Sequence, residues 1–166
     1  MTTEPRAWDV LARAAAAREM PAPSRALREL LVFELDGAPY ALPIERVREI
    51  VRPRAFTPVP HVPADVLGVI SLRGEIVQVL DTRLRLGLPH VEISRASRVI
   101  VMSGEHGDVT GLLVDAVDAV LRVEEGELRP PTGGDNGLIT ALAPKGDAFV
   151  SLISPEQLVA TDAAAA

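Results

Sequence analysis

The sequence predicts an all-β barrel or sandwich carrying only small helices. Three observations carry that prediction. Short apolar runs such as LLVFEL (30–35), VLGVISL (66–72), IVQVL (76–80), RVIVM (98–102), VTGLLV (109–114) and AFVSLI (148–153) give eight or more strand candidates. Turn signals fall between them throughout, among them Asp36-Gly37, Arg73-Gly74-Glu75 and Pro144-Lys145-Gly146-Asp147. Finally, 166 residues with 48% hydrophobic content suffice for one domain, or for two small subdomains sharing a core. Only five residues are aromatic, so that core is built from Val, Leu, Ile and Ala.

Taken in order, residues 1–28 differ from the rest. WDVLARAAAARE favours a helix with Trp8, Leu11 and Ala15 on one face, and Pro21 and Pro23 stop it. We expect an Ala-rich, partly helical or disordered extension, then a folded domain over 29–160 and a disordered tail over 161–166. LLVFEL, Asp36-Gly37 and YAL (40–42) form the first hairpin. Pro43 opens a short helix that puts Ile44, Val47 and Val51 on one face, and the prolines at 53, 58, 60 and 63 make 52–63 a strand or extended connection. After the second hairpin, Asp81 caps a short TRLRL helix and Gly87 ends it. RVIVM is apolar on both faces, as in a buried strand, and GEHGD turns it into VTGLLV. LITAL (138–142) and AFVSLI flank the last hairpin, and Ser154-Pro155-Glu156-Gln157 starts a closing helix.

The same composition excludes several functions. A net charge of -6 and a pI near 5.1 oppose nucleic-acid binding. Zero cysteines exclude thiol nucleophiles, zinc–thiolate sites and disulfides, and fit a reducing compartment. No apolar run reaches the roughly 18 residues of a membrane span, and the N-terminus does not read as a secretory signal. A soluble cytoplasmic protein with no direct membrane insertion is expected. His61, His90 and His106 lie in separate loops without metal-ligand spacing, and are expected to be solvated. No GxSxG elbow or P-loop lysine occurs. Asp115 and Asp118 fall on opposite faces of a strand, or together on a helical surface, and solvation is expected in either case. GGDNG (133–137) lacks the further acids of a calcium loop and reads as a flexible turn. No catalysis and no cofactor are expected; an enzyme or ligand binder would need a convergent polar pocket, for which these residues supply little.

One charged turn set in apolar strands remains. GVISLRGEIVQVLDTRLRLG resembles the signature segment of the CheW family, of the type GVxNLRGxVxPVxDLRxxLG. LLVFELDGAPYALPIERVREI is similar to the family's opening, GLLVDAVDAVLRV to its GxxVDxVxxVxxV strand, and ALAPKGDAFVSLISPEQLV to its closing hairpin and helix. The resemblance covers about residues 29–159. It implies two five-stranded barrels of the Src-homology-3-like kind sharing an apolar core. It also implies a non-catalytic adaptor between the cytoplasmic tip of methyl-accepting chemoreceptors and the regulatory domain of a CheA-type histidine kinase, recruited to receptor arrays. The alternative is a relative that binds only one of these partners and competes with a true adaptor.

Within the motif turn Ser71, Leu72, Arg73 and Gly74, the resemblance pairs Arg73 with Glu49, which it places in the first helix region. A turn arginine aimed at a carboxylate would fix the turn and leave donors for a partner; the bland alternative is a solvated arginine. The receptor-contacting positions it implies are Ile44, Val47, Glu49, Gly68, Arg73, Ile76, Val99, Thr110, Gly111 and Val120. Plain core packing competes for each apolar one, and is favoured for Val99. The kinase-facing surface is expected on exposed edge strands of the first barrel. Ser71, Glu75, Gln78 and Thr82 depart from the motif, and Glu75 is placed to compete with Glu49 for Arg73. The departures suggest a divergent member, and the extension with Trp8 a docking point for a further partner.

Overall fold

Where the sequence alternates and breaks, the backbone forms strands. The structure, a computed structural model, describes residues 26–133 and 137–160. Strands β1 (Leu27–Leu35) and β2 (Ala38–Pro43) are joined at Asp36-Gly37, both residues with positive φ, and a 3₁₀ turn over Ile44–Arg46 leads into β3 (Val47–Val51). β4 (Val66–Leu72), β5 (Glu75–Asp81), α1 (Thr82–Arg85), β6 (Arg98–Ser103) and β7 (Val109–Val114) follow. β8 (Ala116–Glu124), a 3₁₀ turn over Glu125–Glu127, β9 (Ile139–Lys145), β10 (Ala148–Ile153) and α2 (Pro155–Val159) complete the described chain. Both helix caps form as the sequence requires: Asp81 accepts from the Arg83 amide and Ser154 from the Gln157 amide. The helix expected of the extension, the tail, and Gly134, Asp135 and Asn136 of GGDNG lie outside the described residues.

The expected helix from Pro43 is corrected. Helical spacing of Ile44, Val47 and Val51 competes with a two-residue alternation of Val47, Glu49 and Val51, and the alternation wins because β3 pairs with β6. One 3₁₀ turn is all that remains of the helix. A register shift between Val47 and Glu49 leaves Arg48 as a bulge. The bulge turns Val47 toward one apolar cluster and Val51 toward another.

The strands form two five-stranded sheets, an all-β fold. The first takes strands from both ends of the chain, in the order β8-β1-β2-β10-β9; the second is the chain's middle, β3-β6-β7-β5-β4. Read along these orders, both run antiparallel, antiparallel, parallel, antiparallel. In both, the outer hairpin (β4–β5, β9–β10) leads into a short helix, and a single bridge covers its outer strand: Thr57 on Val69, Arg129 on Leu142. The fold thus repeats itself although the two stretches share little sequence.

Three apolar clusters follow from this layout. Leu30, Val32, Ala41, Val123, Val150 and Leu152 fill the first sheet's own curl; Ile70, Leu72, Val77, Val79, Val99 and Val101 fill the second's. Between the sheets lies a shared core with Phe33, Leu42, Leu80, Ile100, Met102, Leu112 and Ile153. Strands β6 and β7 are apolar on both faces because they border two of these clusters. Gly68 is required where the outer strand meets its bridge: its φ is +141°, and an added Cβ would sit on the Thr57 carbonyl, 2.9 Å from its carbon. Gly68→Ala is expected to cost about 2–4 kcal/mol in urea denaturation, from strain plus the clash; an unchanged midpoint would mean that the 52–63 connection gives way freely.

Candidate protein-docking surface

Arg73 and Gly74 form a two-residue turn with φ +49° and +83°, the mirror-image geometry that matches strand twist. Glycine adopts this at no steric cost, whereas an arginine in the left-handed region costs about 1 kcal/mol. Asn or Asp would be the cheaper choice, so the side chain has to be the reason for Arg73. Its Nη2 lies 3.3 Å from Glu49 Oε2 on β3, and the side chain stays 84% exposed. The pairing implied by the sequence resemblance is therefore present, with Glu49 on a strand instead of a helix. Glu75 does not compete, because Arg48 takes it at 3.0 Å. Exposed pairs of this kind add only about 0–1 kcal/mol of stability, and the first carboxylate contact leaves most guanidinium donors facing outward.

Register places the other candidates. One row across the second sheet runs Val47, Met102, Thr110, Gln78, Val69; the next runs Glu49, Val101, Gly111, Val79, Gly68. The first row brings Val47 and Thr110 to one line, both partly exposed. The second joins Glu49, Gly111 and Gly68, of which only Glu49 offers a side chain. Gly111 is buried, and a Cβ there would meet Val99 Cγ1 at 2.8 Å. Val99 itself is fully buried in the second sheet's cluster, so its side chain packs the core. Ile44 and Val47 are half-buried against the shared core. Leu72 of the motif is buried and Ser71 is exposed. Ile76, one residue past Glu75, is 76% exposed and borders a shallow groove with Val59, Val69 and Val109. Val120 lies apart, half-exposed on β8 of the other sheet. The surface thus centres on Arg73, Ile76 and Glu49, an apolar patch with a charged rim.

A second charged constellation was missed by sequence reasoning. Arg83 of α1 is buried, and its Nε and Nη2 fork onto Asp115 at 2.8 and 2.5 Å. Its Nη1 donates to the Pro89 carbonyl at 3.2 Å, and Asp36 Oδ1 stands 3.7 Å from Nη2. Asp115 also accepts from the Asp36 amide at 2.9 Å. These bonds correct the expected solvation of Asp115, whereas Asp118 is exposed as expected and pairs with Lys145 at the surface. His90, expected to be solvated, places Nδ1 2.5 Å from the buried Asp81 carboxylate. The hydrogen bond from Arg83 holds the Asp115 carboxyl below its ordinary range, against the opposing effect of desolvation, and Arg83 is held above its own. The available signal was Asp81-x-Arg83 at a helix start, but the partner is 32 residues away and no local pattern reports it.

Two curled sheets around a shared core, a charged exposed turn and shallow open grooves define a β module built to dock other proteins. A family profile described as CheW-like domain matches residues 29–163, and the chain belongs to that family. A chemotaxis protein CheW of Rhizobium meliloti is 40% identical over 103 residues, covering 62% of this chain and 66% of that protein. Another, of Helicobacter pylori, is 29% identical over 138 residues, covering 81% and 82%. The crystal structure of the scaffolding protein TtCheW from Thermoanaerobacter tengcongensis superposes with a TM-score of 0.77 at 30% identity, covering 82% of this chain and 95% of that one. Family membership puts the chain among the chemotaxis coupling adaptors.

Breaking the Arg83–Asp115 pair from one side leaves a poorly solvated charge, so Asp115→Asn is expected to cost about 2–4 kcal/mol by urea denaturation. The same pair sets a pH dependence. Because the folded-state value of Asp115 lies below the ordinary 3.8, its contribution is fully present above that value and is lost as pH falls through the lowered one. The stabilities of wild type and Asp115→Asn, followed by circular dichroism, should therefore begin to converge as pH falls below 3.8; a difference that persists undiminished to about pH 2 would assign the effect to other groups.

Proposed function

We propose that the protein is a non-catalytic adaptor bridging the cytoplasmic tip of a methyl-accepting chemoreceptor and the regulatory domain of a CheA-type histidine kinase. The observation that carries this reading is Arg73, held in a costly backbone conformation beside Glu49 and next to exposed Ile76, at the turn that carries the family motif. A receptor tip is a helical hairpin, and helices dock through apolar residues onto shallow grooves with polar rims. Ile76 with Val59, Val69 and Val109 supplies the apolar part; Arg73, Glu49 and Glu75 supply the rim. In this reading Ile44, Val47, Gly68, Val99, Gly111 and the rest of the motif turn act by shaping the second sheet, with Thr110 on its exposed row. Val120 and the exposed edges of the first sheet are left for the kinase side. Among the described residues no helix is long and apolar enough to cross a membrane; array recruitment then comes through the receptor. The extension provides a further docking point, and because β1 starts at Leu27 it is best removed by truncating before that residue.

A three-component binding assay with a receptor-tip fragment and a kinase regulatory domain tests the bridging reading. Wild type should bind both at once. Arg73→Glu should weaken receptor binding about 10-fold or more by placing like charge beside Glu49, while thermal stability falls by less than about 1 kcal/mol. Wild type that binds one partner only, or a variant that binds the receptor unchanged, would refute it.

A further inference from the structure

At the end of the second sheet's β3–β6 pair lies a pocket that the coupling role does not use. Arg46, Arg48, Arg73, Arg83, Arg85 and Arg122 each meet a carboxylate. Arg28, Arg52, Arg54, Arg95, Arg98 and Arg129 meet none among the described residues, and Arg52, Arg95 and Arg98 line this one pocket. In a chain of net charge -6, three guanidiniums without a carboxylate around one hollow make a local concentration of positive charge.

The pocket is also built. β3 and β6 pair up to Val51 and Val99, which sets Arg52 and Arg98 beside each other at the sheet's end. Pro53 restricts the backbone of Arg52. The Ser94–Ser97 loop is closed on itself: Ser97 Oγ accepts from the Ser94 amide at 2.8 Å, and the Ser97 amide donates to the Ser94 carbonyl at 3.2 Å. Arg98 is fixed by Nη1 donating to the Arg95 and Ser97 carbonyls at 2.8 and 2.7 Å, which leaves Nε and Nη2 without a partner. Holding donors in place before binding lowers the ordering cost of a ligand. Ile93, half-exposed, gives the hollow an apolar side. Glu92 stands near in the sequence but does not line the pocket.

We propose that this pocket recognises carboxylate side chains on an acidic segment of a partner protein. Guanidinium forks match planar oxyanions in pairs, and the neighbouring Ile93 favours an anion carried on a carbon chain over a free, fully hydrated one. The proposal stands on different residues from the receptor and kinase contacts and does not depend on them.

A fluorescently labelled peptide of alternating Glu and Leu is the probe, measured by anisotropy against the full chain, with a Gln-for-Glu peptide and inorganic phosphate as competitors. Wild type should bind the acidic peptide, more weakly as salt rises, and the Gln peptide at least about 10-fold less tightly. Arg52→Gln with Arg95→Gln should reduce binding by a similar factor at unchanged melting temperature, whereas Arg73→Gln should bind as wild type does. Equal binding of both peptides, retention by the double variant, or no binding by wild type at millimolar peptide would each overturn the proposal. Phosphate that saturates the pocket while the peptide fails to compete would overturn it in favour of a small-anion site.

Discussion

The Arg83–Asp115 pair is the constraint on which the arrangement of the two sheets depends. Arg83 leaves the end of β5 in the second sheet; Asp115 is the hinge residue between β7 of the second sheet and β8 of the first; Asp36 is the turn of the first sheet's β1–β2 hairpin. One guanidinium therefore joins the end of the second sheet's β5, the crossing from the second sheet to the first, and the first sheet's opening turn. Apolar burial drives the sheets together but is indifferent to their angle. A buried fork of hydrogen bonds is directional, and a charge that loses it has no cheap alternative partner. Arg46 adds a lesser tie, donating to the Ser103 carbonyl at 3.2 Å and pairing with Glu156 of α2.

Around that fixed junction the repeated architecture uses charge in the same way twice. In each sheet the edge strand carries a bulge, at Arg48 in β3 and at Asp118 in β8, and each bulged residue reaches across to the opposite hairpin, to Glu75 and to Lys145. Bulges bend a strand and re-aim a side chain, which is what drawing the first and last strands of an open sheet toward each other requires. The second sheet adds Arg73–Glu49 on top of this closure. The first sheet's last hairpin turns through Gly146-Asp147, with positive φ at the glycine alone, so it needs no strained side chain. Between these two corresponding hairpins, a non-glycine residue at positive φ marks only the one in the sheet with the candidate docking surface.

Much of the fold was legible in the sequence. Strands β6 and β7 announced themselves because burial on both faces removes alternation, and Asp81 and Ser154 as caps because short polar side chains bond nearby amides whatever the tertiary fold. The stretch 44–51 was ambiguous because Ile44, Val47 and Val51 fit helical spacing while Val47, Glu49 and Val51 fit a strand; only pairing with β6 decides it. The Arg73–Glu49 contact came from resemblance, since 24 residues of separation carry no local signal. Asp115 was misjudged for the same reason, its partner being remote in sequence, and His90, though exposed, has a contact with the helix-cap Asp81 that its sequence neighbours do not report. Side-chain pairs that close a topology become readable only once the topology is known.

The contrast between the two arginine pairs separates stability from recognition. Arg83 is buried, forked and hydrogen-bonded at three places, so it has little left to offer a partner. Arg73 is exposed, touches its carboxylate at one atom pair, and sits in backbone geometry that costs more than a surface ion pair returns. Under the proposed receptor contact, a residue that lowers the stability of its own turn is accounted for by what it gains outside the chain. In that proposed contact, donors already oriented by Glu49 would leave a partner less side-chain freedom to remove, and binding, not the fold, would offset the backbone strain.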